Sequence, residues 1–183
     1  CGIDDEGMSW KRYAVALVAT NAAMVFIGYL ILRIQFIPWF NPNGIGSMEA
    51  SLSFNTIISF MTNTNLQHYS GESGLSYLSQ MLVIIYMMFT SAATGGAVVM
   101  AFVRGLSGTC RNMGNFYRDL VRNTTRVLLP LAIVVGLVLV SQGCPQNFSA
   151  NVTVQTIEGK YQDIAMGPIA SLVSIKHLGT NGG

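Results

Sequence analysis

The sequence predicts an all-α integral membrane fold made of helix–re-entrant loop–helix repeats, with about one and a half repeats present. Three observations predict it. Half of the 183 residues are hydrophobic and 10% are charged, whereas a soluble domain carries about 25% charge. A chain so poor in charge cannot solvate its own surface in water. Long apolar segments flank an apolar helix that is too short to cross a bilayer. The Lys and Arg residues gather in the polar segments on one side of the predicted spans.

Taken in order, residues 1–12 are polar and carry Asp4, Asp5, Glu6, Lys11 and Arg12. The chain begins without Met and stops at Gly182-Gly183, and reads as a segment of something longer. Residues 13–37 are apolar enough for a spanning helix, which needs about 20 residues. Arg33 sits near the far end of that helix, where a long side chain can snorkel to headgroups. Pro38-Trp39-Phe40-Asn41-Pro42-Asn43-Gly44 breaks the helix, with Trp39 and Phe40 as interfacial anchors.

Residues 38–74 form one segment on the far side. Ser47 and Glu49 mark a helix start, a capping hydroxyl followed by an acid in the first turn. The helix over 49–61 would reach about 20 Å, short of a hydrocarbon core of roughly 30 Å. A re-entrant helix followed by a strand over 62–67 that climbs back out accounts for both features. Residues 75–103 are apolar, uncharged and longer than the bilayer is thick. Their middle, Ser91-Ala92-Ala93-Thr94-Gly95-Gly96-Ala97, is made of small residues that let helices approach closely.

Residues 104–126 hold five arginines, Arg104, Arg111, Arg118, Arg122 and Arg126. Met113, Phe116, Tyr117, Leu120 and Val121 recur at helical spacing, with Arg111, Arg118 and Arg122 clustered on another face, the pattern of an amphipathic interfacial helix. Flanking spans argue against nucleic acid as the partner of this patch and leave a partner subunit or anionic lipid. Residues 127–141 form a third span with Pro130 near its start. Residues 142–183 are a polar loop ending in a second short helix that starts near Pro168, so that 168–183 begins a second re-entrant loop.

Charge orients these elements. Residues 1–12 carry two Lys or Arg, 104–126 five, 38–74 none, and the long tail only Lys160 and Lys176. If 49–61 does not cross fully, the two basic segments share the cytoplasmic side and both short loops open outward.

The two short helices end alike. One leads into Thr62-Asn63-Thr64-Asn65, the other into Gly179-Thr180-Asn181-Gly182-Gly183. Backbone carbonyls with Thr and Asn oxygens can replace the hydration shell of a monovalent cation without trapping it. The partly negative C-terminal end of each helix would face the ion. No carboxylate lies in either strand, which argues against a divalent site. Cys1, Cys110 and Cys144 lack metal-ligand spacing and read as free thiols. His68 and His177 read as interfacial histidines. Asn147-Phe148-Ser149 and Asn151-Val152-Thr153 fit glycosylation acceptors.

Thr62-Asn63-Thr64-Asn65-Leu66-Gln67, Tyr69-Ser70-Gly71-Glu72, the Ser91-Ala92-Ala93-Thr94-Gly95 run and Leu178-Gly179-Thr180-Asn181-Gly182-Gly183 resemble, in order, the potassium-binding A subunits of bacterial potassium-transporting ATPases, the Kdp system. The resemblance covers essentially the whole chain. It implies the potassium-channel-like superfamily, with four helix–pore loop–helix repeats in a complete subunit. It also implies a bacterial inner-membrane location and potassium taken up from outside through an ATP-driven pump. A separate P-type ATPase subunit, a single-span accessory subunit and a small peptide are the implied partners.

On that resemblance, Thr62, Asn63, Thr64, Asn65 and Gln67 belong to the first filter strand, and Thr180, Asn181, Gly182 and Gly183 to the second. Leu66 stands where some members carry an aromatic residue, and the first strand lacks the glycine usual in potassium filters. No ATP chemistry is expected here: the sequence has neither a G-x-x-x-x-G-K-[ST] loop nor an Asp-Lys-Thr phosphorylation motif. The alternatives are a potassium channel or gradient-driven symporter subunit, and a structural membrane subunit without an ion path.

Overall fold

The computed structural model describes residues 7–108 and 112–181. Gly182 and Gly183 of the expected second strand, with Cys1, Cys110 and Arg111, lie outside the described residues. Among the described residues, three helices are long and apolar enough to cross a membrane.

Helix α1 runs Trp10–Arg33, capped by Ser9, whose side chain accepts from the Arg12 N–H. It stops four residues before the expected end at 37. The reason lies in Gln35, which looked like a polar interruption inside a span. Its buried amide donates to Gly46 O (2.9 Å) and Gly74 O (3.1 Å) and accepts from Ser76 N (3.3 Å). It thereby ties the end of α1 to the chain entering the next long helix. Arg33 turns inward to the Met48 carbonyl instead of snorkelling outward.

Helix α2 is Ala50–Met61, 12 residues, or about 18 Å long. Its cap is Glu49 and not Ser47: the Glu49 carboxylate accepts from Leu52 N at 2.9 Å and from the Ser51 hydroxyl. Those bonds, the Ser51 hydroxyl first, hold the Glu49 carboxyl well below the usual range, at about 2. Ile57, Phe60 and Met61 pack with Met24 and Leu32 of α1 and with Val83, Ile84, Met87 and Met88. The helices meet tightly at Gly28, where a Cβ would stand 2.3 Å from Ile57 Cδ1.

A single turn, α3 (Gly71–Gly74), leads into α4, Tyr77–Ser107. Helix α4 has a widened turn at Gln80–Ile85 and continues through Gly95-Gly96. A second apolar cluster joins Tyr13 and Ala16 of α1, Ala97 and Ala101 of α4, and Phe116. Beside it Arg104 pairs with buried Asp119 (2.5 and 2.8 Å), which also accepts from the Tyr13 hydroxyl at 3.2 Å. Arg104, one of the five arginines of the basic segment, closes this end of the bundle with its guanidinium.

The separate amphipathic helix and third span are one helix, α5, Phe116–Ser141. Asn115 caps it through Tyr117 N and Arg118 N. A widened turn over Asn123–Leu128 precedes Pro130. A regular helix would press the proline ring onto the Arg126 carbonyl, and the wider turn lets the helix pass.

The tail is not all loop. Strands β1 (Val152–Gln155) and β2 (Tyr161–Ile164) pair antiparallel, with Val152 opposite Ile164. Asn147 Oδ1 accepts from Ser149 N and Gly167 N, and Asn151 Oδ1 from Met166 N. Both acceptor asparagines therefore use their amides to hold the tail. Helix α6, Ile169–Leu178, follows, with Pro168 just before it and not in its first turn. It packs along α5 and against the start of α4.

Candidate functional site

The two short helices end in the same backbone figure. In α2, Asn63 N–H meets Phe60 O (3.3 Å) and Thr64 N–H meets Ser59 O (2.9 Å). In α6, Thr180 N–H meets His177 O (3.3 Å) and Asn181 N–H meets Lys176 O (3.0 Å). This is the Schellman ending, whose first residue beyond the cap is left-handed. Asn63 takes φ 59° and Thr180 φ 57°. The backbone therefore pairs Asn63 with Thr180 and Thr64 with Asn181.

Asn65 is also left-handed, at φ 51°. Asparagine tolerates this region better than other residues with a side chain. Thr180 does not: a β-branched residue there is strained by roughly 1–3 kcal/mol.

Asn63 joins the two ends. Its Nδ2 donates to Gly179 O (3.3 Å) and Thr180 Oγ1 (3.4 Å). Its Oδ1 accepts from Asn181 Nδ2, from Ser91 Oγ (3.4 Å) and from Asn65 Nδ2 (3.5 Å). Gly179 is held just as closely, since a Cβ there would lie 2.2 Å from Asn181 Oδ1. Thr62 and Thr64 share a hydroxyl bond of 2.9 Å. Asn65 and Asn181 are buried, yet among the described residues Asn65 Oδ1 and Asn181 Oδ1 have no donor, and Gln67 Nε2 has no acceptor. Buried oxygens without donors are rare and call for a partner such as an ion or water.

Beside the junction lies a cleft of about 330 Å³, reached by Asn65, Gln67, Tyr69, Glu72, Gln80 and Lys176. Among the described residues no cluster of three His, Cys, Asp or Glu could hold a metal ion. Thr62, Asn63, Thr64, Asn65, Thr180 and Asn181 thus come together at one junction, with Gln67 at the cleft beside it.

Two contributors escaped the sequence reading. Ser59 holds the returning strand, its carbonyl taking Thr64 N and Asn65 N and its hydroxyl taking Leu66 N at 3.2 Å. Ser53, Thr56 and Ser59, all buried, form a polar stripe at helical spacing on a helix too apolar to need one. That stripe was the available signal. Ser91 was read as a packing residue, and its reach to Asn63 is visible only in three dimensions.

The family profile described as "Potassium-transporting ATPase A subunit" matches residues 1–183. The chain belongs to this family. Proteins named "Potassium-transporting ATPase potassium-binding subunit" share 60% identity in Clostridium acetobutylicum, 56% in Caldanaerobacter subterraneus subsp. tengcongensis and 57% in Geobacillus kaustophilus. Each alignment covers 97–98% of this chain and 32% of the relative. The chain thus spans about a third of the length of these A subunits.

Proposed function

We propose that this chain supplies the first pore loop, and the start of the second, of the filter through which an ATP-driven pump of the bacterial inner membrane takes up potassium. The observation that carries it is the junction itself. Two helix C-termini are drawn to one point by the Asn63 amide, and two side-chain oxygens beside it, Asn65 Oδ1 and Asn181 Oδ1, have no donor among the described residues. Helix ends bring partial negative charge to that point. Neutral oxygens there can replace the water of a potassium ion without a carboxylate to trap it.

Membrane placement follows from three supports. Helix α2 is too short to cross, the chain after it folds back so that Thr64 and Asn65 bond to the Ser59 carbonyl in its last turn, and the basic segments 1–12 and 104–126 then share the cytoplasmic face. In the complete complex a P-type ATPase subunit supplies the phosphorylation chemistry, for which this sequence has no motif. A single-span subunit and a small peptide complete the assembly.

The test uses the full-length complex in cells grown at limiting potassium. Asn63→Ala should weaken apparent potassium affinity by about tenfold or more, because it unties both loops. It should also relax discrimination against rubidium and sodium. Unchanged affinity and selectivity would refute the filter assignment. Purification without a P-type ATPase partner would favour a channel or symporter subunit.

A further inference from the structure

We propose that Lys176 sets how tightly the filter holds its ion, its ammonium acting as a fixed positive charge beside the junction; this rests on the filter reading above. A mismatch between two equivalent positions carries the proposal. Thr64 N–H bonds to the Ser59 carbonyl in the first loop, and Asn181 N–H bonds to the Lys176 carbonyl in the second. Ser59 and Lys176 therefore hold the same place in the two helix endings.

Ser59 uses its side chain for support. Its hydroxyl accepts from Leu66 N at 3.2 Å and so steadies the strand leaving α2. A lysine cannot do the same, because an ammonium has three donors and no acceptor. Lysine at the second position thus serves something other than strand support. The two helices also differ in charge. The last turn of α2 has no basic residue, whereas that of α6 has Lys176 and His177. His177 is exposed, while Lys176 is half-buried and lines the cleft shared with Asn65 and Gln67.

The consequence is electrostatic. Each helix C-terminus brings about half an elementary negative charge to the junction. A full positive charge in the last turn of α6 outweighs that helix's share, and α2 keeps its own. The other ionised side chain lining the cleft is Glu72, which is exposed and accepts from the Ser70 hydroxyl. Water and salt screen an exposed carboxylate more than a half-buried ammonium. The field that Lys176 adds therefore repels a cation. A filter of neutral oxygens passes an ion on only when it binds it moderately, and Lys176 supplies that moderation.

The test uses the full-length complex. Lys176→Met keeps the aliphatic stem and removes the charge, Lys176→Ser gives the second loop the residue of the first, and Lys176→Arg keeps the charge. The apparent KM for potassium should fall about tenfold in Lys176→Met and Lys176→Ser, with no gain in maximal uptake. That is the effect of one unit charge about 10 Å away at an effective dielectric constant of about 20. Lys176→Arg should keep the wild-type KM. An unchanged or raised KM in the assembled charge-removing variants would overturn the proposal, because a lysine that only stabilised its helix end would give no tighter binding when removed. Should Lys176→Met not assemble, Lys176→Ser decides alone. Asn63→Ala run in parallel separates the two ideas. Unchanged affinity there sinks the filter reading itself, whereas weakened affinity there with an unchanged KM at position 176 sinks only the role of Lys176.

Discussion

At the scale of single residues, Asn63 and Thr180 occupy equivalent left-handed positions with unequal ease. Thr180→Asn should therefore raise thermal stability of the detergent-solubilised protein, by about 1 kcal/mol, as strain at a β-branched residue is released. An unchanged or lowered melting temperature would contradict the strain assignment. Glu49 gives a pH signature. Its carboxyl is held near 2 when folded, below its ordinary value near 4.5. Its contribution is complete above the ordinary value and is lost as pH falls through the folded one. Between pH 5 and pH 3 the wild-type protein should lose more stability than Glu49→Gln; parallel losses in thermal melts would remove Glu49 from the cap. The Thr and Asn residues of the junction could be named from the sequence because their chemistry is local, whereas Gln67 was named only through the family resemblance. Their register could not, because a Schellman ending is recognised by φ angles and not by letters.

At the scale of elements, the long helices and the short helix were legible because apolar length and charge placement are written along the chain. What failed was each boundary decided by a contact distant in sequence. Gln35 ends α1 through Gly74 and Ser76, and Asp119 takes up Arg104 from the segment before α5. The hairpin escaped because strands of four residues carry little periodic signal. The Arg104–Asp119 pair ties α4 to α5 and, through Tyr13, to α1. Removing one partner of a buried pair strands the other charge. Asp119→Ala should lower stability by about 3 kcal/mol, read as a lower melting temperature, with the Arg104→Met/Asp119→Leu double variant less impaired. Equal losses in both would assign the effect to packing instead.

At the scale of the whole molecule, two loops more than a hundred residues apart in sequence meet in one oxygen-rich junction, and the apolar face of α5 stands open, with Leu137 65% exposed. Such a face suits lipid or further helices of the longer subunit. Orientation gives a direct check: a cysteine introduced at Met113, next to the basic segment, should resist an impermeant thiol reagent applied to intact cells and react once the membrane is opened. Labelling from outside would reverse the arrangement and turn both loops inward. The central claim is that the junction of Asn63, Asn65, Thr180 and Asn181 is where the transported ion sheds its water. Anomalous diffraction from the full-length subunit soaked in thallium, a heavy stand-in for potassium, tests it most directly. The account predicts a peak between the two strands that fades in Asn63→Ala. Clear thallium peaks elsewhere, with none at this junction, would contradict it.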